Sequence, residues 1–257
     1  MMSGVLSNTF TYILVFVRMA GMIGFNPILN RNNLPAQVRV GMIFTLTILL
    51  APNLHPGNAA IFTSMDLVVA ILKELMVGIA CGFVFQIFYY LLFFIGDLMD
   101  TQFGMSMAKV FDPGTNIQTS ISGNLLNMMF ILYIFATDSH LLLIHLFATS
   151  YDVVSMGAVR LSPDIAQYLL HLFISAFSLA IRLAVPFIAA EFVLELSMGI
   201  LMKLIPQIHV FVINIQFKIL LAMLLLLLFA APIASFIDNY IKLVFESMRD
   251  MLFVLST

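Results

Sequence analysis

The chain has 257 residues, 62% of them hydrophobic and only 9% charged, with 11 Lys+Arg against 13 Asp+Glu and a mean hydropathy of +1.10. Soluble domains carry about 25% charge, so the solvent for this fold is a membrane or a large apolar assembly. A net charge of −2 offers no polyanion-binding surface and argues against nucleic acid as a partner.

The N-terminal stretch "MMSGVLSNTFTYILVFVRMAG" lacks a basic leader region and a small-residue cleavage site. It reads as a retained first span within about 10–29. "GFNPILNRNNLP" supplies two prolines and four asparagines as a loop, and a second apolar segment follows at about 38–52. After the turn "APNLHPGN", a third segment runs over about 67–95 and contains the lone cysteine, Cys81, as a small packing residue. "GDLMDTQFGMSMAKVFDPGT" at 96–115 then breaks the pattern with three acids, a lysine and three glycines.

A fourth apolar segment covers about 123–149, with "ATDSH" at 136–140 reading as a capped helix-to-helix turn. "RLSPD" offers Ser162 or Asp164 as a cap and places Pro163 in the first turn of a fifth segment, about 168–203. Pro206 ends that segment, and a sixth at about 208–234 closes at Pro232. An amphipathic helix is predicted over about 236–255. The expectation is an all-α membrane protein of six long hydrophobic helices plus this C-terminal helix. A bilayer core takes about 20 helical residues, so 67–95 and 168–203 are long tilted helices, broken pairs, or helices leaving the hydrocarbon. Arg31, Arg39, Lys109 and Lys203 on odd loops, against Arg160 on even ones, favour an extracytoplasmic N-terminus, a bias that Lys242 and Arg249 nearly cancel.

Arg18, Lys73, Glu74, Arg182, Glu191, Glu195 and Lys218 all fall inside apolar runs. Each costs about 2.5–3.5 kcal/mol at a lipid-facing helix centre, so they face protein or water. Buried inter-helix ion pairs or contacts outside the hydrocarbon would account for them, Glu191 and Glu195 could instead line an ion pathway, and Lys73 and Lys218, near segment ends, can also snorkel. Glu191 and Glu195 share a helix face, and Gly78 and Gly82 form a small-residue face suited to close helix approach.

The chain has no phosphate-binding Gly-Lys-Ser/Thr loop, no His-Glu-x-x-His and no Cys/His cluster, and its five histidines are scattered. Asp138, Ser139 and His140 are sequence neighbours, which cannot align as a triad. No metal, cofactor or enzymatic activity is expected. A secondary transporter using Arg182, Glu191 and Glu195 in a midplane site would need inverted-repeat symmetry. The glycines of the third segment have no counterpart in the fifth.

Four stretches in order, "KELMVGIACGFVFQIF" (73–88), "GDLMDTQFGMSMAKVFDP" (96–113), "DSHLLLIHLFATSYDVVSMG" (138–157) and "RLAVPFIAAEFVLELSMGILMKLIPQIHVFVINIQFKI" (182–219), resemble the FliR family of the bacterial flagellar type III protein export gate. They also resemble, more distantly, its counterparts in virulence injectisomes. The resemblance implies a FliP-like part over 1–179 fused to a FliQ-like hairpin and C-terminal helix over 180–257. It implies one copy of this chain among several FliP-like and FliQ-like subunits, with FlhA-like and FlhB-like components, in the inner membrane at the flagellar basal body. Unfolded export substrates would pass through the channel.

It further implies a pore-facing plug in the mid-chain segment near 96–122, with Gly96, Asp97, Asp100, Gln102, Gly104, Met105, Ser106, Met107, Asp112 and Pro113 as candidates. Helix-packing and inter-subunit contacts would fall to Lys73, Glu74, Gly78, Gly82, Arg182, Glu191, Glu195, Pro206, Gln207 and Lys218. His209 and Asn214 stand where the family more usually has asparagine and glycine, and Gln216 where it has proline. Loss of that glycine and proline predicts a straighter helix over 208–220.

Overall fold

In the computed structural model, residues 2–30, 34–54, 64–105, 120–159, 162–205 and 210–256 are described. They form eight α-helices, and no strand occurs among the described residues. The helices are α1 (Met2–Gly24), α2 (Ala36–Leu50), α3 (Ser64–Gln102), α4 (Ile121–Ala136), α5 (Ser139–Val153), α6 (Asp164–Leu204), α7 (Val210–Leu228) and α8 (Ala230–Ser256).

The six hydrophobic segments correspond to α1, α2, α3, the α4–α5 pair, α6 and α7, with α8 as the C-terminal helix. Segments three and five are unbroken helices of 39 and 41 residues. At 1.5 Å per residue each is about 60 Å long, roughly twice the hydrocarbon thickness. Pro186 lies inside α6 without ending it; it removes one hydrogen bond and leaves the rest of the ladder in place.

The fourth segment bends by 75° between α4 and α5. The "ATDSH" turn sits at that bend, with Asp138 in the left-handed region at φ 56°. The expected cap is not formed: Asp138 makes no side-chain capping bond, and the Thr137 and Ser139 hydroxyls pair with each other at 2.8 Å. Ahead of α6, the Ser162 hydroxyl does accept from the Asp164 backbone N–H at 3.2 Å. The C-terminal helix begins at Ala230, six residues earlier than its amphipathic pattern suggests, after a 63° bend at Phe229. Pro232 falls in its first turn, where a missing N–H costs nothing. α7 runs unbroken through Asn214 and Gln216.

Among the described residues, three helices (α2 with its 3₁₀ extension, α3 and α6) are long and apolar enough to cross a membrane, and up to five spans result if each bent pair counts as one. The chain divides into two compact units. The first comprises Met1–Phe88, Ile134–Phe173 and Lys242–Thr257; the second comprises Tyr89–Tyr133 and Ile174–Ile241.

In the first unit, α1 packs on α2 through the Phe16 and Phe44 rings, 5.0 Å apart, and crosses the first half of α3 glycine to glycine. A Cβ on Gly78 would lie 2.4 Å from the Arg18 carbonyl oxygen and 2.9 Å from the Gly21 Cα. One on Gly82 would meet the Phe25 Cβ at 2.6 Å. The small-residue face of α3 therefore has its partner in α1, where only hydrogen fits. In the second unit, Phe103, Phe187 and Phe229 form a ring-to-ring chain with centroids 6.0 and 5.2 Å apart. Phe130 meets Tyr240 edge-on at 6.2 Å. Aromatic pairs in these geometries add about 0.5–1.5 kcal/mol beyond burial.

Candidate functional site

Three polar centres interrupt these apolar units, and each is held within one unit. The first is built around Arg18, whose side chain is fully buried. Its Nε donates to Glu74 Oε2 at 2.5 Å. Its Nη1 donates to the Ser150 carbonyl at 2.9 Å, and its Nη2 to the Val154 carbonyl at 2.9 Å. Both carbonyls lie at the C-terminal end of α5, which carries partial negative charge, and the Ser150 carbonyl also accepts from the Val154 N–H at 3.0 Å. The guanidinium also lies 4.1 Å over the Tyr151 ring.

Glu74 spends its other oxygen on the Gly157 backbone N–H at 2.8 Å, and Lys73 donates to the Gly157 carbonyl at 3.3 Å. Gly157 reaches that position with φ +73°, a conformation that favours glycine. A buried charge is tolerated when paired and hydrogen-bonded on all sides. The centre meets that condition and ties α1, α3, the end of α5 and the turn after it together.

The second centre lies in the mid-chain stretch. Gly96, Asp97, Asp100 and Gln102 occupy the last turns of α3, ahead of a turn at Phe103–Met105. Asp100 is buried and accepts from Ser120 Oγ at 2.7 Å, the Ile121 N–H at 2.6 Å and the Ser122 N–H at 3.1 Å. It therefore caps the N-terminus of α4 from across the loop, where a carboxylate suits the helix dipole. Ser120 Oγ in turn accepts from the Gly123 N–H at 2.8 Å.

One turn back, Gly96 abuts Gly123 so closely that a Cβ there would lie 2.1 Å from the Gly123 Cα. Gly104, at φ +73°, follows the helix end as a C-terminal glycine, with the Phe103 N–H bonded to the Met99 carbonyl at 2.9 Å. Asp97, Gln102 and Met105 are half-buried. Ser106, Met107, Asp112 and Pro113 lie outside the described residues. The end of α3 and the start of α4 are thus held together by Asp100 and by the Gly96–Gly123 contact.

The third centre is on the α6–α7 hairpin. Lys218 Nζ stands 3.6 Å from Glu195 Oε2, an ion pair open to solvent on the acid's side and therefore weak. Glu191 is buried, and neither of its carboxylate oxygens has a hydrogen-bond partner among the described residues. Arg182 is exposed. Nine residues separate it from Glu191, which at about 100° per residue puts the two on opposite faces of α6. The structure does not bring Arg182, Glu191 and Glu195 to one midplane site, as the transporter reading requires. Pro206 and Gln207 lie outside the described residues. Because the buried Glu191 carboxylate has no hydrogen-bond donor to lose, Glu191→Gln is expected to leave thermal unfolding unchanged or raise its midpoint, as measured on the detergent-solubilised chain.

Sequence reading missed the partners of these centres: the Ser150 and Val154 carbonyls, the Gly157 amide, Ser120, Gly21 and Gly123. Most are backbone groups or glycines with no chemical signature, although "SMG" at 155–157 does mark a turn. Among the described residues no three His, Cys, Asp or Glu side chains come together as metal ligands.

The family described as bacterial export proteins, family 1, matches the chain over residues 9–244. The flagellar biosynthetic protein FliR of Bacillus subtilis (strain 168) is 25% identical over 244 residues, covering 94% of each chain. That of Escherichia coli (strain K12) is 24% identical, covering 94% of this chain and 92% of its own. Yop proteins translocation protein T of Yersinia pestis is 27% identical over 250 residues, covering 95% of each. A match over nearly the whole length, together with a fold made of apolar helices, places this chain in family 1 of the bacterial export proteins.

Proposed function

We propose that the chain is a non-enzymatic subunit of the bacterial flagellar type III protein export gate, seated in the inner membrane at the basal body. In this reading it helps form and seal a protein-conducting channel. Family membership and alignment with FliR proteins along 94% of the chain support the flagellar gate. The observation that carries the sealing role is the clamp at the root of the mid-chain segment. Asp100 and the Gly96–Gly123 contact hold the end of α3 against the start of α4, which fixes the two helix ends between which the proposed plug residues lie in sequence. Met105 and Met107 suit a sealing role because methionine side chains adapt to irregular surroundings.

The FliP-like and FliQ-like parts meet near residue 180, inside α6, so the two parts share that helix. Several FliP-like and FliQ-like subunits would surround one copy of this chain, with FlhA-like and FlhB-like components and unfolded flagellar proteins as further partners. Affinity purification of the tagged chain is expected to recover FliP-like and FliQ-like proteins in excess over it. Recovery of a monodisperse monomer that binds a small solute would overturn the gate reading. Deleting residues 104–108 is expected to make the membrane leaky to small molecules while the complex still assembles; unchanged permeability in an assembled complex would remove the plug. Service in an injectisome gate is the second reading, favoured by the 27% identity to the Yersinia pestis protein. The identity of the co-purified subunits separates the two.

A further inference from the structure

A groove in the first unit, away from the three polar centres, runs between α5 and α8 and holds about 440 Å³. Leu142, Leu146 and Val153 line it from α5, and Phe245 and Leu252 from α8, so its wall is almost wholly apolar. Thr149 lines it too, but its hydroxyl donates to the His145 carbonyl at 3.0 Å. The polar side chains are at the rim. His145, Glu246 and Arg249 border the groove and are exposed, and none has a hydrogen-bond or ion-pair partner among the described residues.

Size and polarity together restrict what fills this space. Residues 142–153 rise about 16 Å along α5, which gives a groove of 440 Å³ a cross-section of about 27 Å². A helix with its side chains is about 10–12 Å across and needs about 80 Å² or more, so the groove is too narrow to seat one. An extended hydrocarbon chain, whose carbons touch their neighbours at about 4–4.5 Å, needs about 20 Å². Water is a poor filler, because a buried water needs about two to four polar partners and this wall offers almost none. One acyl chain fits.

The rim sets the chemistry of the other end of such a molecule. The Arg249 guanidinium and the His145 ring are hydrogen-bond donors, and an arginine fork matches two oxygens of a phosphodiester. Glu246 stands three residues before Arg249 on the same helix, where it repels a second anion and accepts from a cationic N–H. We propose that the groove binds one acyl chain of a zwitterionic aminophospholipid, with its phosphate on Arg249 and His145 and its primary ammonium on Glu246. Phosphatidylglycerol, a net anion, has nothing to give Glu246, and the quaternary ammonium of phosphatidylcholine has no N–H to donate. The proposal goes beyond the gate reading and needs only contact between this unit and a bilayer.

The test uses the full chain in its native membrane complex and a phosphatidylethanolamine carrying a diazirine on one acyl chain. Irradiation is expected to place the adduct within residues 142–153 or 245–252. Unlabelled phosphatidylethanolamine should compete at least about tenfold better than phosphatidylcholine or phosphatidylglycerol. Arg249→Ala is expected to lower capture at least about tenfold, and Glu246→Leu to erase the preference among the three lipids. Because both side chains lack partners among the described residues, neither substitution should lower the unfolding midpoint, which separates a lost headgroup from lost folding.

Adducts outside both stretches, equal competition by the three lipids, or full capture with Arg249→Ala would each overturn the proposal. Cys81 is the only cysteine and is buried, so Thr149→Cys carries a photoreactive thiol reagent into the groove alone. Capture of another subunit from that position, in place of lipid, would also overturn it. Normal recovery of gate subunits without lipid capture defeats this proposal and leaves the gate reading standing. Lipid capture by a chain that recovers no FliP-like or FliQ-like subunit does the opposite.

Discussion

Arg18→Met is expected to cost the first unit about 3–5 kcal/mol, the range for removing one member of a buried ion pair. The loss is large because the substitution strands what remains. Glu74 keeps a charge at zero exposure with only the Gly157 amide to solvate it, the Val154 carbonyl loses its donor, and the Ser150 carbonyl loses one of its two. Stacking on Tyr151 disappears as well. Unfolding of the detergent-solubilised chain, followed by circular dichroism, reads the effect directly.

The double replacement Arg18→Met with Glu74→Leu separates desolvation from packing. It is expected to recover a substantial share of the loss, because a buried pair replaced by apolar side chains of similar volume is often neutral. Recovery should stop short of the starting stability, since the Val154 carbonyl and the Gly157 amide lose the partners that Arg18 and Glu74 supplied, while the Ser150 carbonyl keeps the Val154 N–H. A single variant within about 1 kcal/mol of the parent would mean that water reaches the centre.

The contrast between Arg18 and its partners shows what can be read from an apolar sequence. An arginine and a glutamate inside hydrophobic runs announce that they must be paired, because lipid tolerates neither. The pairing itself spans 56 residues, and the other oxygens that Arg18 reaches, two main-chain carbonyls and the Ser150 hydroxyl, are more than 130 residues away. No local pattern encodes such groups. The same holds for Asp100. Its place in a polar break is visible, but its role as the cap of α4 depends on a chain return 20 residues later.

Helix positions were legible wherever apolar runs met loop-forming residues, as at the asparagine-rich loop before α2 and at "ATDSH". Where a run was simply too long, hydropathy could not choose between a tilted helix and a broken pair. Nothing in "GIACGF" or around Pro186 says whether the hydrogen-bond ladder continues, and in both it does. Gly78 and Gly82 were recognisable as a packing face because their spacing is periodic. Gly21 and Gly123, each matched to a glycine on another helix, belong to no such repeat.

Gly96→Ala is expected to be the most damaging single-methyl change in the second unit. The added carbon would sit 2.1 Å from both the Cα and the N of Gly123, and 2.6 Å from the Ser122 carbonyl carbon. These are main-chain atoms of the first turn of α4, so no rotamer change can relieve the clash. The two helices must separate, and overpacking of this kind costs about 1–3 kcal/mol or more. Separation also pulls Asp100 away from the Ile121 and Ser122 amides, so the cap, worth about 0.5–2 kcal/mol, goes with it. Because the same contact holds the root of the mid-chain segment, stability and sealing should fail together: a lower unfolding midpoint, and raised membrane permeability wherever the complex still assembles. Gly199→Ala is the matched control. Its position on α6 has nothing within 4 Å of an added Cβ, and alanine there should stabilise the helix by roughly 0.5–1 kcal/mol. Equal behaviour of the two variants would show that the Gly96–Gly123 approach does not limit either folding or sealing.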